Sequence, residues 1–249
     1  MSTSEAPPPS EATASGRYGP LVHRSVHHGA IVLIVASIQF ILGMAITQVG
    51  YGSSYSLSQN YISDLGATHC GIQGGGGPFG GMGRYICSPW HDVFNVSCVI
   101  LGLLVILGAI LIRSAFPARR SRTIGLALLA VAGIGAIGVG LFPEDVQIDF
   151  HVTSALLAFV GGNLALLILG FAMFRDTRWD GFRAYSVLSG LIGLVAVGLF
   201  ASKTYLFLGV GGMERLVAAP VILWAIVVGI HLARIPTFAP RIIPRAPAT

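Results

Sequence analysis

The chain has 249 residues and a formal net charge of +5; 54% of its residues are hydrophobic and only 10% are charged. An ordinary soluble domain has roughly 25% charged residues, so this composition excludes a typical water-soluble fold and predicts an integral membrane protein. Nucleic-acid binding is not expected, because scattered basic residues in a membrane protein usually set its topology. The expected partner is the lipid bilayer, and protein partners stay open.

Six apolar runs predict an all-α bundle of six transmembrane helices, because each is close to the roughly 20 residues that cross a bilayer. They lie at about residues 30–49, 93–112, 124–141, 152–174, 184–201 and 216–233. Residues 1–28 are polar and rich in Pro and Ser, and we expect them to form a disordered cytoplasmic tail. Residues 29–234 form the transmembrane domain, with a long outer loop at 50–92, and residues 235–249 form a second cytoplasmic tail.

Lys and Arg residues are divided unequally between the two sets of loops. Twelve of the 15 fall on the side of both termini, and only Arg84, Lys203 and Arg215 fall on the other. Since loops rich in Lys and Arg stay in the cytoplasm, both termini are predicted to be cytoplasmic. The expected location is the cell membrane, as a multi-pass protein of a prokaryotic inner or plasma membrane.

Acidic and polar residues gather at the non-cytoplasmic face, where the ends of several helices share one membrane level. Asp64, Glu144 and His151 are candidate catalytic residues, because carboxylates and histidine carry out general acid–base chemistry. A wider set of polar residues at the same level is a candidate for substrate binding: Ser58, Tyr61, Ser63, Asn95, Glu214 and Arg215.

Three acidic residues at this face have a simpler interpretation. Asp92, Asp149 and Glu214 lie where the second, fourth and sixth helices are expected to begin. A carboxylate in a first turn complements the positive helix end and contributes about 0.3–1 kcal/mol. Helix capping therefore stays open as the whole role of these three residues.

Metal binding and a disulfide are further hypotheses for this face. His91, His151 and Asp64 could bind a divalent metal, although they come from separate segments with no local ligand spacing. Cys70 and Cys87 share the outer loop, where oxidising surroundings would favour a disulfide. Whether the protein binds a cofactor stays open.

Four residues within or beside the helices are expected to have structural roles. Asn163 falls in the middle of the fourth apolar run and is predicted to hydrogen-bond to a neighbouring helix. Trp90, Trp179 and Trp224 are predicted to anchor the protein at the membrane interface.

Four short motifs occur in order along the chain: YISDLGA at 61–67, W-x-x-x-FN at 90–95, GLFPED at 140–145 with His151 following, and ER at 214–215. In these motifs the chain resembles the domain-of-unknown-function 998 family of bacterial and archaeal membrane proteins, over roughly residues 30–233. The resemblance implies a fold of about six helices and supports the polar cluster as a shared feature, but it implies no reaction. The glycine-rich insert at 71–83 and its cysteines depart from the usual family loop.

Together these features favour a non-cytoplasmic site that acts on a lipid or another envelope molecule, and they leave open whether the protein is an enzyme. A transporter of a small neutral or apolar solute and a non-catalytic assembly subunit are the alternatives. Proton- or ion-coupled transport is disfavoured, because no apolar run carries Asp, Glu, Lys or Arg in its middle and such transport usually needs an ionisable group there.

Overall fold

The computed structural model describes residues 20–73, 83–174 and 176–234. Six long helices form the fold: α1 (Pro20–Val49), α2 (His91–Leu111), α3 (Arg120–Leu141), α4 (Ile148–Ala172), α5 (Phe182–Ala201) and α6 (Gly209–Arg234). Each is long and apolar enough to cross a membrane. The prediction of an all-α bundle of six transmembrane helices is therefore confirmed.

The remaining elements are short and lie in the connections. They are β1 (Gly71–Gln73), β2 (Arg84–Ile86) and three 3₁₀ turns, Ser63–Gly66, Arg113–Ala115 and Thr177–Trp179. Most of the two predicted tails, residues 1–19 and 235–249, and most of the glycine-rich insert, residues 74–82, lie outside the described residues. Helix α1 starts at Pro20, so residues 20–28, assigned to the tail from sequence, are helical.

The helices pack in chain order, and α6 returns to contact α1. Because α4 also contacts α6, helix α5 lies outside this pair and the other five helices surround the interior. Helices α2 and α3 approach closely at Gly102 and Gly133, where a Cβ on either residue would meet the other's backbone carbonyl. Glycine at both positions allows this close contact, as is common between membrane helices.

The end of the bundle that holds the α2–α3 and α4–α5 connections is closed by aromatic packing. The rings of Phe116 and Trp179 stack with centroids 4.7 Å apart, and Trp224 Nε1 donates a hydrogen bond to Ser186 Oγ at 2.8 Å. Trp179 and Trp224 are completely buried, whereas Trp90 is 46% exposed. The prediction that Trp179 and Trp224 anchor the protein at the membrane interface was wrong, because both belong to this core.

Candidate functional site

The polar residues meet at the opposite end of the bundle, which we call the cluster end: residues 50–73, 83–90, 142–147 and 202–208 together with the adjoining helix termini. The long loop between α1 and α2 contacts the α3–α4 connection and the first turn of α6 there. The Gly211 N–H donates to the carbonyl oxygen of Ser58 at 2.9 Å, and the Thr68 N–H donates to Asp145 Oδ2 at 2.8 Å. The long loop, the α3–α4 connection and the start of α6 therefore form one polar layer over the bundle.

A small hairpin holds the second half of the long loop. Strands β1 and β2 are antiparallel, with Gly71 opposite Ile86, and a disulfide joins Cys70 and Cys87 at the base of the hairpin. The third cysteine, Cys98, is free and buried in α2. The hairpin turns the chain back, so that a residue of β2 can contact the YISD segment.

Asp64 is the most enclosed carboxylate at the cluster end, with a side chain that is 0% exposed. It accepts hydrogen bonds from Asn60 Nδ2 at 2.9 Å, from the Tyr61 N–H at 3.0 Å and from Arg84 Nε at 2.9 Å. A second Arg84 nitrogen pairs with the other carboxylate oxygen, and the guanidinium carbon lies 4.1 Å from the centroid of the Tyr61 ring. These contacts join Asp64 to the YISD segment and to strand β2.

Glu144 contacts the same segment from the α3–α4 connection. Ser63 Oγ donates a hydrogen bond to Glu144 Oε2 at 2.5 Å, and Arg84 lies 4.0 Å from the other oxygen. The Glu144 side chain is only 11% exposed. Burial and then the negative charge of Asp64 raise the pKa of Glu144 well above its ordinary value, which is typical of a carboxyl suited to acid–base chemistry.

Helix α6 reaches the long loop through two consecutive residues. The Ile62 N–H donates to Glu214 Oε2, while Arg215 donates to the Asn60 carbonyl at 3.0 Å and to the Tyr55 hydroxyl at 2.6 Å. Glu214 is buried, and α6 begins five residues before it. The interpretation of Glu214 as a first-turn cap was therefore wrong, because its carboxylate binds the loop instead of its own helix end.

The three residues suggested as metal ligands have separate partners. His151 Nδ1 lies 2.8 Å from the Phe142 carbonyl, His91 Nδ1 lies 2.9 Å from the Ser88 carbonyl, and Asp64 binds Arg84. Within the described part of the chain, no three His, Cys, Asp or Glu side chains are grouped so that they could hold a metal ion. The structure thus does not bring His91, His151 and Asp64 together as a ligand set.

The other predicted binding residues differ in what they contact. Asn95 Nδ2 donates to the Gly66 carbonyl at 3.0 Å and holds the end of the YISD turn. Ser58 is exposed. Burial raises the pKa of Tyr61 to about 12, so its phenol keeps its proton at neutral pH. These residues contribute to the conformation of the loop, and their side chains do not come together as one reactive group.

Asp145 binds the long loop at Thr68 and His69, after the YISD segment that contains Asp64. Its Oδ2 accepts from the N–H groups of Thr68 and His69 at 2.8 and 2.9 Å and from the Thr68 hydroxyl at 2.9 Å. Burial alone would raise the pKa of Asp145, but these hydrogen bonds outweigh it and hold that pKa below its ordinary value. Glu144 and Asp145 are thus adjacent carboxyls whose pKa values shift in opposite directions.

Arg84 is the main member of the site that sequence reasoning missed. The sequence did indicate a role for Arg84, because it lies between Cys70 and Cys87 and is the only Lys or Arg in the 50–92 loop. A disulfide between these cysteines returns Arg84 toward the acidic YISD segment. Buried carboxylates are usually paired, so the disulfide hypothesis favoured an acidic residue of this segment as a partner of Arg84, without selecting Asp64.

Beneath the polar layer lies a cavity of about 110 Å³, enclosed by α1, α2, α3, α4 and α6. Its walls are mostly apolar and include Leu33, Leu101, Ala136, Phe159 and Ile222. At the cluster end the lining changes to Ser63, His151 and Glu214. One water needs about 10–15 Å³ and two to four polar partners, so the apolar part of this cavity suits a hydrocarbon group better than water.

A family model for proteins of unknown function, DUF998, matches residues 34–231. The chain belongs to this family. The DUF998 match includes all the residues of the polar layer named above, and it confirms the resemblance drawn from the four motifs. No curated protein and no solved structure matches the chain. The DUF998 assignment therefore places the chain in a family without supplying an activity.

Proposed function

We propose that this membrane protein binds a lipid or a related amphiphile, with the hydrocarbon chain in the cavity and the polar end at Ser63, Glu144 and Glu214. The observation that carries the proposal is the change in the residues that line the cavity, from apolar residues along its walls to the polar residues Ser63, His151 and Glu214 at one end. An amphiphile has this same division between an apolar and a polar part. The acidic network above it would then contact the head of the molecule.

The depth of the cavity fits one leaflet. Its lining extends from Phe94 to Val105 in α2 and from Glu214 to Ala225 in α6. Eleven residues of helix rise about 16 Å, which is close to half of the roughly 30 Å hydrocarbon core. This depth supports a chain that enters from the leaflet next to the cluster end.

The charges at the cluster end favour a head without a large negative charge. Four carboxyl groups in the polar network face only two guanidinium groups. They are Asp64, Glu144, Asp145 and Glu214, against Arg84 and Arg215. Three carboxylates still outnumber the guanidinium groups when Glu144, whose pKa is raised, is neutral. Because like charges repel in a site of low dielectric constant, an uncharged or cationic head is favoured over a phosphate dianion.

The distribution of Lys and Arg supports a site on the non-cytoplasmic side of the cell membrane, and on that orientation the proposed amphiphile belongs to the outward-facing leaflet. Passage of a solute across the membrane is the weaker alternative. The other end of the bundle is filled by buried aromatic residues such as Phe116, Trp179 and Trp224, which supports a cavity closed at that end. A docking role in a larger complex is the second alternative.

Filling the cavity should remove the bound amphiphile. Ala136 lines the cavity from α3, and overpacking of such a site costs about 1–3 kcal/mol, which corresponds to a roughly 5- to 150-fold weaker affinity. Ala136→Phe should therefore lower the amount of amphiphile that co-purifies with the protein by a factor in this range. The measurement is quantitative mass spectrometry of lipids extracted from protein purified in mild detergent.

Ala127→Phe is the matched control, since Ala127 lies in the same helix but is exposed on the bundle surface. This variant should retain the wild-type amount. The proposal fails if both variants carry the same lipids as the wild type, or if the wild type shows no enrichment of any amphiphile over the membrane background. Enrichment of multiply anionic lipids alone would contradict the preference for an uncharged or cationic head.

A further inference from the structure

Ser63 and Glu144 form a hydroxyl–carboxylate pair at the boundary between the cavity and the polar layer. Ser63 is 8% exposed and lines the cavity, and its hydroxyl donates to Glu144 Oε2 at 2.5 Å. The two residues come from connections 81 positions apart. A serine hydroxyl is a weak nucleophile until an adjacent base takes its proton, and Glu144 is placed to do so.

We infer that the pair carries out acyl transfer on a lipid ester, with Ser63 as the nucleophile and Glu144 as the general base. This inference rests on the proposed amphiphile site. In an ester lipid the carbonyl carbon is the atom at which the hydrocarbon chain meets the polar part. A chain lying in the cavity therefore brings its carbonyl carbon to the level of Ser63.

The reaction has two balanced steps. Ser63 Oγ bonds to the ester carbonyl carbon and gives its proton to Glu144 Oε2; the bond from that carbon to the alcohol oxygen breaks, and the alcohol leaves with the proton from Glu144. Water or a second alcohol then attacks the acyl carbon and gives a proton to Glu144. The bond to Ser63 breaks, and Ser63 Oγ regains its proton. No oxidant or reductant is needed.

The surroundings of Glu144 suit this role. Its raised pKa, which results from burial and the nearby Asp64 charge, makes the ionised carboxylate a stronger base than an exposed glutamate. Asp64 and Arg84 do not contact the acyl group; they are positioning residues that hold the YISD turn and orient Ser63. We assign these different roles from the hydrogen bonds, because Arg84 donates to Asp64 whereas Ser63 donates to Glu144.

The test uses the full chain in lipid nanodiscs and a long-chain alkyl fluorophosphonate, whose phosphorus accepts a serine oxygen as fluoride leaves. Peptide mass spectrometry should find the adduct on Ser63. Glu144→Gln should slow labelling by about 10²–10⁴-fold, the usual contribution of a general base, and Glu144→Asp should recover part of that rate. Ser97→Ala should label as the wild type, because Ser97 is buried in α2 without lining the cavity.

Locating the adduct on wild-type protein needs no variant, so the test of Ser63 as the nucleophile does not depend on whether Ser63→Ala folds. An adduct on another residue, or no adduct on Ser63 in protein that retains its amphiphile, overturns the inference and leaves the proposed binding site standing. Equal labelling rates for Glu144→Gln and the wild type overturn the role of Glu144. Wild-type protein without any enriched amphiphile contradicts the proposed function itself.

Discussion

Asp64→Asn should destabilise the folded protein by about 3–5 kcal/mol, the usual cost of removing one partner of a buried ion pair. The Asp64 side chain is 0% exposed and pairs with Arg84, which is 24% exposed. Asparagine would leave the Arg84 guanidinium without a counter-charge and would turn an amide N–H group toward other donors. The measurement is the free energy of unfolding in detergent micelles, compared with that of the wild type.

Three further variants distinguish loss of the ion pair from a general effect of substitutions at the cluster end. Arg84→Gln should be similarly destabilising, and the double variant should lose less than the sum of the two single losses, because the residues interact directly. Asp92→Asn is the matched control, since its side chain is 91% exposed and should change stability by less than about 0.5 kcal/mol. Equal stabilities for Asp64→Asn and Asp92→Asn would contradict the assigned role of Asp64.

Removing the disulfide should have the second largest effect. Replacing both Cys70 and Cys87 with serine should lower the free energy of unfolding by about 3 kcal/mol, because the link closes a loop of 17 residues and restricts the unfolded chain. The folded state loses too, since the same link holds the hairpin that delivers Arg84 to Asp64. Limited proteolysis should then cleave the 50–90 loop faster than in the wild type.

Reduction with dithiothreitol provides the control within the same experiment. It should lower the stability of the wild type and leave the double serine variant unchanged, because the remaining cysteine, Cys98, is free. Mass spectrometry without reductant should find the link between Cys70 and Cys87. Complete alkylation of all three thiols in unreduced protein would show that the disulfide is absent.

Sequence reasoning predicted the features that depend on whether a segment lies in the hydrocarbon core of the membrane or in water. Six apolar runs predicted six helices, because a hydrocarbon core requires about 20 apolar residues with internally bonded backbone. Asn163 was predicted to bond to another helix, and its Nδ2 donates to the Val217 carbonyl at 3.1 Å. A polar amide in an apolar span has few other ways to be satisfied.

The features that were missed depend on which surface faces inward. Lipid and protein core are both apolar, so hydropathy could not show that Trp179 and Trp224 are buried. Glu214 was interpreted as a cap because only the apolar part of α6 was visible, whereas the helix starts earlier, at Gly209. The pairing of Arg84 with Asp64 needed the position of the hairpin, which follows from tertiary structure.

The cavity could not be predicted either. Its walls combine residues from five helices, and nothing in a single apolar run distinguishes Leu101, which lines the cavity, from Leu103, which is 55% exposed. The two residues are neighbours in α2 but point to different surroundings. This alternation along one helix also provides the most direct test of the proposed binding mode.

The central claim is that a hydrocarbon chain lies inside the bundle, and photo-crosslinking with a single-chain amphiphile carrying a diazirine along its chain tests it. Peptide mass spectrometry should place the crosslinks on cavity residues such as Leu101 and Val105, and an excess of unlabelled amphiphile should remove them. Crosslinks confined to the exposed Leu103 and Leu107 of the same helix, and unaffected by that excess, would show that the chain only coats the outer surface and would contradict the claim.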